Sequence, residues 1–142
     1  MHAAILLAAG SGKRMGSSIS DKLLHPIGST TAFRLSCEAF LRASTIELLI
    51  LVFRDELQKE EIQREFELAT AKAQRRIPFH LVKGGKERQN SVSNALCACN
   101  SSIEFVQVHD CARPMIRPET IERLARKVTT AGAIAVARPL SD

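Results

Sequence analysis

The hydrophobic pattern of this chain switches repeatedly between unbroken apolar runs and apolar residues at helical spacing. Ala3–Ala9 is continuously apolar, as expected of a strand covered on both faces. Ala32–Ala43 has helical spacing through Phe33, Cys37, Phe40 and Leu41, and Ile46–Phe53 reads as a second buried strand. Asp55–Arg76 is rich in charge, with Leu57, Ile62, Phe66 and Ala69 near helical spacing. That predicts an exposed amphipathic helix whose charges form a solvated face. Pro78–Val82 gives a third strand, Gly84-Gly85 a turn, Glu87–Ala98 a helix, Phe105–His109 a strand, Pro118–Thr130 a helix and Ala133–Ala137 a last strand. Pro118-Glu119 puts proline and an acid in a first helical turn, a sound helix start.

Strands alternating with helices imply a mostly parallel sheet, right-handed crossovers and helices on both faces, an α/β three-layer sandwich. Ligands of such sheets bind outside the carboxyl ends of the strands. Three loops rich in chemistry are expected there: Ala8–Lys22, Gly84–Ser91 and Asp110–Pro114. Their convergence argues for one active site. At 142 residues, with no linker, repeat or low-complexity stretch, a single domain is expected.

The first loop, Ala8-Ala9-Gly10-Ser11-Gly12-Lys13-Arg14-Met15-Gly16, leads to Lys22. Small side chains let a ligand reach the backbone, and glycine lets successive N–H groups turn toward one anion. Lys13, Arg14 and Lys22 add charge where a triphosphate would lie, whereas a bare turn needs no cations beside it. Two familiar phosphate loops are excluded. A P-loop needs glycine where Leu7 stands and Ser or Thr where Arg14 stands. The dinucleotide fingerprint needs a third glycine where Lys13-Arg14-Met15 follows.

In the second loop, Gly84-Gly85-Lys86-Glu87-Arg88-Gln89-Asn90-Ser91, the glycines permit close backbone approach. Ser91 or free N–H groups could there read the edge of a base, and a glycine turn with a polar first helical turn would look the same. In the third, Asp110 ends an apolar strand and is a natural Mg²⁺ ligand, since Mg²⁺ is held by one or two carboxylates together with substrate phosphates. Arg113 could fork onto a second anion, or pair with Asp110 across the turn. His109 reads as a hydrogen-bonded structural residue, because no His or Cys stands at ligand spacing from it.

Composition narrows the partners. A net charge of +5 suits an anion, but the basic residues are dispersed, and with no Trp or Tyr and six Phe there is little to stack bases. A small polyphosphate fits better than nucleic acid. No run approaches membrane-spanning length and no leader pattern is present, which makes a cytoplasmic protein the expectation. Cys37, Cys97, Cys99 and Cys111 lack Cys-x-x-Cys spacing, so reduced, mostly buried thiols are expected.

Together, Leu7–Gly16, Gly84–Val92 and Val108–Pro114 occur in the order and with the gaps of one family. The chain resembles the 2-C-methyl-D-erythritol 4-phosphate cytidylyltransferases of the non-mevalonate isoprenoid pathway, along essentially its whole length. The first motif is shared by many nucleotidyltransferases; the three together are specific. Ribitol-phosphate cytidylyltransferases come next, but tend to carry glycine at the Ala9 position and a bulkier residue near Ala112. The resemblance implies a nucleotide-diphospho-sugar transferase-like, Rossmann-like fold. It also implies attack of a sugar-alcohol phosphate on the α-phosphate of CTP, releasing pyrophosphate with Mg²⁺ or another divalent cation present. By the same resemblance Ala8, Ala9, Gly10, Ser11 and Gly12 line the nucleotide loop and Gly85, Lys86 and Ser91 lie at the cytidine. Arg14 and Lys22 would stabilise charge on the α-phosphate, Asp110 would hold the metal, and Arg113 would bind the methylerythritol phosphate.

Two departures stand out. Lys86 replaces an acid that some members carry near the cytosine. Family members also continue past the counterpart of Asp142 through a threonine, a protruding dimer arm and further charged active-site residues. A nucleotidyltransferase domain truncated at its C-terminal end is therefore expected, with homodimers among full-length members. The competing expectations are another sugar(-alcohol) phosphate nucleotidyltransferase and a nucleotide-binding fragment without turnover.

Overall fold

The structure, a computed structural model, describes residues 1–10 and 21–137. Its elements in chain order are β1 (His2–Leu7), β2 (Pro26–Ile27), β3 (Thr30–Thr31), α1 (Ala32–Arg42), β4 (Ile46–Phe53), α2 (Glu56–Ala73), β5 (Phe79–Lys83), α3 (Arg88–Cys97), β6 (Phe105–Asp110) and α4 (Pro118–Ala131). Four of the strands form a parallel sheet in the order β5-β4-β1-β6.

The apolar runs bury both faces of this sheet, with a period of two. Ala4, Leu6 and Ala8 join Leu49, Leu51 and Phe53 beneath Phe33 and Phe40 of α1, Ile62 and Phe66 of α2 and Ile121 of α4. Ala3, Ile5 and Leu7 join Leu48, Ile50 and Val52 against Val92 and Ala95 of α3. Three helices thus cover one face and one covers the other.

Register decides where the loops emerge. Leu7 stands beside Val52 in β4 and Asp110 in β6, and Phe53 stands beside Lys83 in β5. The strands therefore end in line, and the segments after β1, β4, β5 and β6 leave from one edge. Strand order runs outward from β1 to β4 and β5, then returns to β6 on the other side of β1. That reversal makes the β1/β6 boundary the switch point at which such sheets open a crevice.

Local chemistry sets the helix starts. Thr31 Oγ1 accepts from Arg34 N at 3.1 Å to cap α1, and Asp55 Oδ1 accepts from Gln58 N at 2.9 Å to cap α2. At its far end α2 stops where Gln74 turns left-handed, with φ 53°. Arg75 then donates to the carbonyls of Leu41, Ala43 and Ile46 at 2.9, 2.6 and 2.7 Å, fastening the α1–β4 turn.

Several expectations need correction. Ala133–Ala137 forms no strand: α4 ends at Gly132, and the run then stays exposed beside β6 without a ladder. Ile134 and Val136 are 40% and 64% exposed, so the apolar alternation finds no face to bury it. A small hairpin, β2 with β3, was not foreseen. The stripe on α2 is also shifted. Leu57 is 79% exposed, and Gln58 and Glu65 turn inward among Ile62, Phe66 and Ala69. The charges of α2 are thus not all solvated: Glu65 accepts from Arg34 Nε and Nη2 at 2.8 Å each and from Thr31 Oγ1 at 2.8 Å. Of the cysteines, Cys37 and Cys111 are buried, Cys99 is half-buried and Cys97 is exposed.

Candidate active site

Ala8 continues β1 by one residue, donating its N–H to Val52 O at 3.0 Å. It is fully buried, Ala9 is half-buried and Gly10 is exposed, so the chain rises from the core to the surface within three residues. The loop after β5 lies directly upon this exit. Gly84 N donates to Phe53 O at 2.7 Å, and a Cβ at Gly84 would stand 2.6 Å from Ala9 Cβ and 2.9 Å from Ser91 Oγ. Glycine is required here by contact with the first loop. A Cβ at Gly85 would likewise collide with Asn90.

Ser91 is buried and knits its own loop, accepting from Gly85 N at 3.0 Å and donating to Glu87 O at 3.2 Å. Asn90 Oδ1 accepts from Glu87 N at 3.1 Å, closing the first turn of α3. Lys86 is exposed beside them. The loop thus presents main chain and a lysine, with its hydroxyl facing inward.

Asp110 ends β6 next to Leu7, where the crevice is expected. Its carboxylate is held by Arg88, from Nε at 3.1 Å and from Nη2 at 3.4 Å. The partner is not Arg113, whose main-chain N–H instead closes a turn on Asp110 O at 3.0 Å. Arg88 opens α3 after β5, so this pair spans the sheet edge from one outer strand to the other. His109 points the other way, buried and tilted against Phe40, and its Nε2 has no partner among the described residues. Burial lowers its pKa, against the pull of Asp110.

On the opposite flank, Lys22 is exposed and follows a half-buried acid, Asp21. Asp21 Oδ2 accepts from Gln58 Nε2 at 2.5 Å and from Arg54 Nη1 at 3.2 Å, and Oδ1 accepts from Leu23 N at 3.0 Å. Of the other cations, Lys13 and Arg14 lie outside the described residues, as do Ser11 and Gly12.

Among the described residues no three His, Cys, Asp or Glu side chains gather as a metal cage. Asp110 alone fits a cation that arrives with phosphate ligands of its own, because Mg²⁺ keeps few protein ligands. Among the described residues Arg88 is the side chain that such a cation would meet at this carboxylate. Beside it a cleft of about 1150 Å³ follows β6, lined by Asp110, Arg113, Met115, Ile134 and Val136 among others. Arg113 therefore lines this cleft together with Asp110. Arg88, Gln58 and Arg54 were missed as site residues. For Gln58 the sequence held a signal: Asp55-Glu56-Leu57-Gln58 is the spacing of a capping box.

The family model for 2-C-methyl-D-erythritol 4-phosphate cytidylyltransferase matches residues 2–142. The cytidylyltransferase of that name from Thermotoga neapolitana is 35% identical over 146 residues, covering 100% of this chain and 60% of the relative. That from Rhodopirellula baltica is 31% identical, covering 96% and 58%. The chain thus spans about three-fifths of the length of these two relatives. In structure it is similar to 4-diphosphocytidyl-2C-methyl-D-erythritol synthase from Anaerococcus prevotii, with TM-score 0.73 and 22% identity over 91% of this chain and 51% of that one. A bifunctional enzyme from Campylobacter jejuni superposes with TM-score 0.69 at 18% identity, over 92% and 31%. The latter two likenesses establish the fold alone. With its three loops at one sheet edge and a family match along nearly its whole length, this chain belongs to the 2-C-methyl-D-erythritol 4-phosphate cytidylyltransferase family.

Proposed function

We propose that this chain carries the nucleotide site of an enzyme that transfers CMP from CTP to 2-C-methyl-D-erythritol 4-phosphate and releases pyrophosphate. The observation that carries the reading is the common edge: Ala8–Gly10, Gly84–Ser91 and Asp110 are brought together by register, with Gly84 seated on Ala9. In this reading a phosphate oxygen of the sugar alcohol attacks the α-phosphorus of CTP. The bond to the oxygen bridging toward the β-phosphorus breaks, and pyrophosphate carries away the electron pair.

Such transfer asks for positioning and compensating charge. Ala8, Ala9, Gly10, Ser11 and Gly12 would admit the triphosphate to the main chain, and Gly85, Lys86 and the turn locked by Ser91 would face the cytosine. Arg14 and Lys22 would meet charge on the α-phosphate, and Arg113 the sugar phosphate in the cleft along β6. When bound with the nucleotide, Mg²⁺ would neutralise triphosphate charge, with Asp110 as its protein ligand. On the resemblance alone, the complete enzyme is a cytoplasmic homodimer; among the described residues no helix is long and apolar enough to cross a membrane. A second reading is nucleotide binding at this same site without turnover.

Titration calorimetry with CTP, UTP, ATP and GTP in the presence of Mg²⁺ tests the assignment. CTP should bind tightest, and a purine nucleotide of equal affinity would overturn the cytidine reading and leave the fold untouched. Pyrophosphate release from CTP and methylerythritol phosphate then separates the two readings.

A further inference from the structure

We infer that Gln58 is a positioning residue that fastens together the two flanks of the phosphate segment, an inference that rests on the reading of that segment as the nucleotide site. Gln58 is 3% exposed, in the first turn of α2, and its side-chain amide uses every function it has. One N–H of Nε2 donates to Ala8 O at 3.0 Å, where the chain leaves β1. The other donates to Asp21 Oδ2 at 2.5 Å, immediately before Lys22. Oε1 accepts from Arg54 N at 2.6 Å, tying the amide to the end of β4.

One planar group therefore joins the exit of the segment, its return and the sheet. Asp21 passes the constraint forward, since Oδ1 accepts from Leu23 N at 3.0 Å and so brackets Lys22 between two fixed residues. Arg54 supplies the counter-charge, donating from Nη1 to Asp21 at 3.2 Å and from Nε to Asp55 at 2.8 Å.

No close substitute meets all three demands. Glutamate lacks the N–H donors and would set a second carboxylate against Asp21. Methionine fills the volume and leaves Ala8 O without this donor. Lysine donates but offers Arg54 N nothing. Buried polar networks of this sort rigidify what they join only when every member is satisfied. Cations directed at a transition state need such rigid support, because small displacements are costly in rate.

The test uses the 142-residue chain and the variants Gln58→Met, Asp21→Asn and Asp21→Ala. Hydrogen exchange in Gln58→Met should accelerate roughly tenfold at the flanking residues 9–10 and 21–23, the scale of about one hydrogen bond, with α1 and α4 unchanged. The same variant should bind CTP with Mg²⁺ roughly tenfold more weakly, the scale of a 1.4 kcal/mol change. Asp21→Asn keeps one acceptor oxygen for Gln58 but sets its amide nitrogen against Leu23 N, so its loss in both measurements should be smaller than that of Asp21→Ala, which should follow Gln58→Met. Exchange that is unaltered at residues 9–10 and 21–23, or raised equally in α1 and α4, overturns the inference. Local acceleration with undiminished CTP affinity overturns the positioning role. If the parent chain binds no nucleotide, the functional reading falls, and exchange still decides whether Gln58 joins the flanks.

Discussion

Two acids flank the same sheet edge and lead opposite lives. On the α2 side, the Asp21 side chain is 9% exposed and is met by a buried amide, a guanidinium and a main-chain N–H. On the β6 side, the Asp110 side chain is 40% exposed and among the described residues is met by one arginine, itself 62% exposed. The surroundings follow suit. β4 is buried from Leu48 through Phe53 between two strands, whereas among the described residues β6 has one neighbouring strand and leaves Val108 42% exposed. Residue type does not separate these acids; saturation does. An acid held by three donors from within holds the frame, and an acid with a single exchangeable partner is open to a ligand.

The widest separation should come from removing each carboxylate. Asp21→Ala leaves the Gln58 amide, Arg54 and Leu23 N each short of a partner, and should cost about 2–3 kcal/mol in urea unfolding. Asp110→Ala should stay within about 0.5 kcal/mol of the parent, as exposed substitutions do. It should nevertheless abolish the enhancement of CTP binding by Mg²⁺ seen in calorimetry. A destabilised Asp110→Ala beside an unaffected Asp21→Ala would reverse the assignment of frame and site.

The contact between the first two loops is the next place to press. In Gly84→Ala the new methyl group would lie 2.6 Å from Ala9 Cβ and 3.3 Å from Phe53 O, so main chain must shift. Overpacking of this kind costs about 1–3 kcal/mol. CTP binding should weaken along with stability, because the displaced loop is the one assigned to the base. Gly28→Ala is the control: it leaves this contact alone, and φ 62° there carries only local strain. It should lower stability without selectively weakening CTP.

How far the sequence reveals this contrast depends on the kind of pattern involved. β1 and β4 are legible because continuous apolar runs admit few other readings, and the loops are legible because strand ends place them. Ala133–Ala137 misleads, since its alternation looks like β4 in miniature while burial depends on a neighbour that a local pattern does not contain. Gln58 hides for the opposite reason. A polar residue beside Leu57 reads as surface, yet the Asp55 cap turns the helix so that Leu57 faces water and the amide faces Ala8. Arg88 is invisible because its contact with Asp110 joins opposite edges of the sheet, and only the fold brings them together.

Acid should loosen the α1–α2 side of the frame. Burial alone would raise the pKa of Glu65, but the Arg34 guanidinium and the Thr31 hydroxyl outweigh it and hold it below the usual 4.5. A depressed folded value means that the ionised pair contributes its full stability above about pH 4.5 and loses it as pH falls through the lower folded value. Urea midpoints should decline below pH 4.5, and Glu65→Gln should flatten part of the slope. Asp55 and Glu122 are lowered too and act in the same direction. An unaltered slope in Glu65→Gln would remove this pair from the frame.

The smallest effect should come from Arg88, and it bears most directly on what an exchangeable partner means. Exposed ion pairs are worth ~0–1 kcal/mol, so Arg88→Ala should move the melting temperature by less than about 4 °C. If Arg88 only occupies the carboxylate, removing it frees Asp110 for a cation. The Mg²⁺ concentration that half-saturates CTP binding should then fall about 2–5-fold, the equivalent of that same free energy. Added salt, which screens the pair in the parent, should narrow the gap between parent and variant. A loss of CTP affinity beyond about tenfold would instead put the guanidinium on the nucleotide phosphates, where a fork of donors suits them. In that case Asp110 would be the resting place of a ligand-binding arginine, and the two flanks would differ in having a cation that moves rather than an acid that waits.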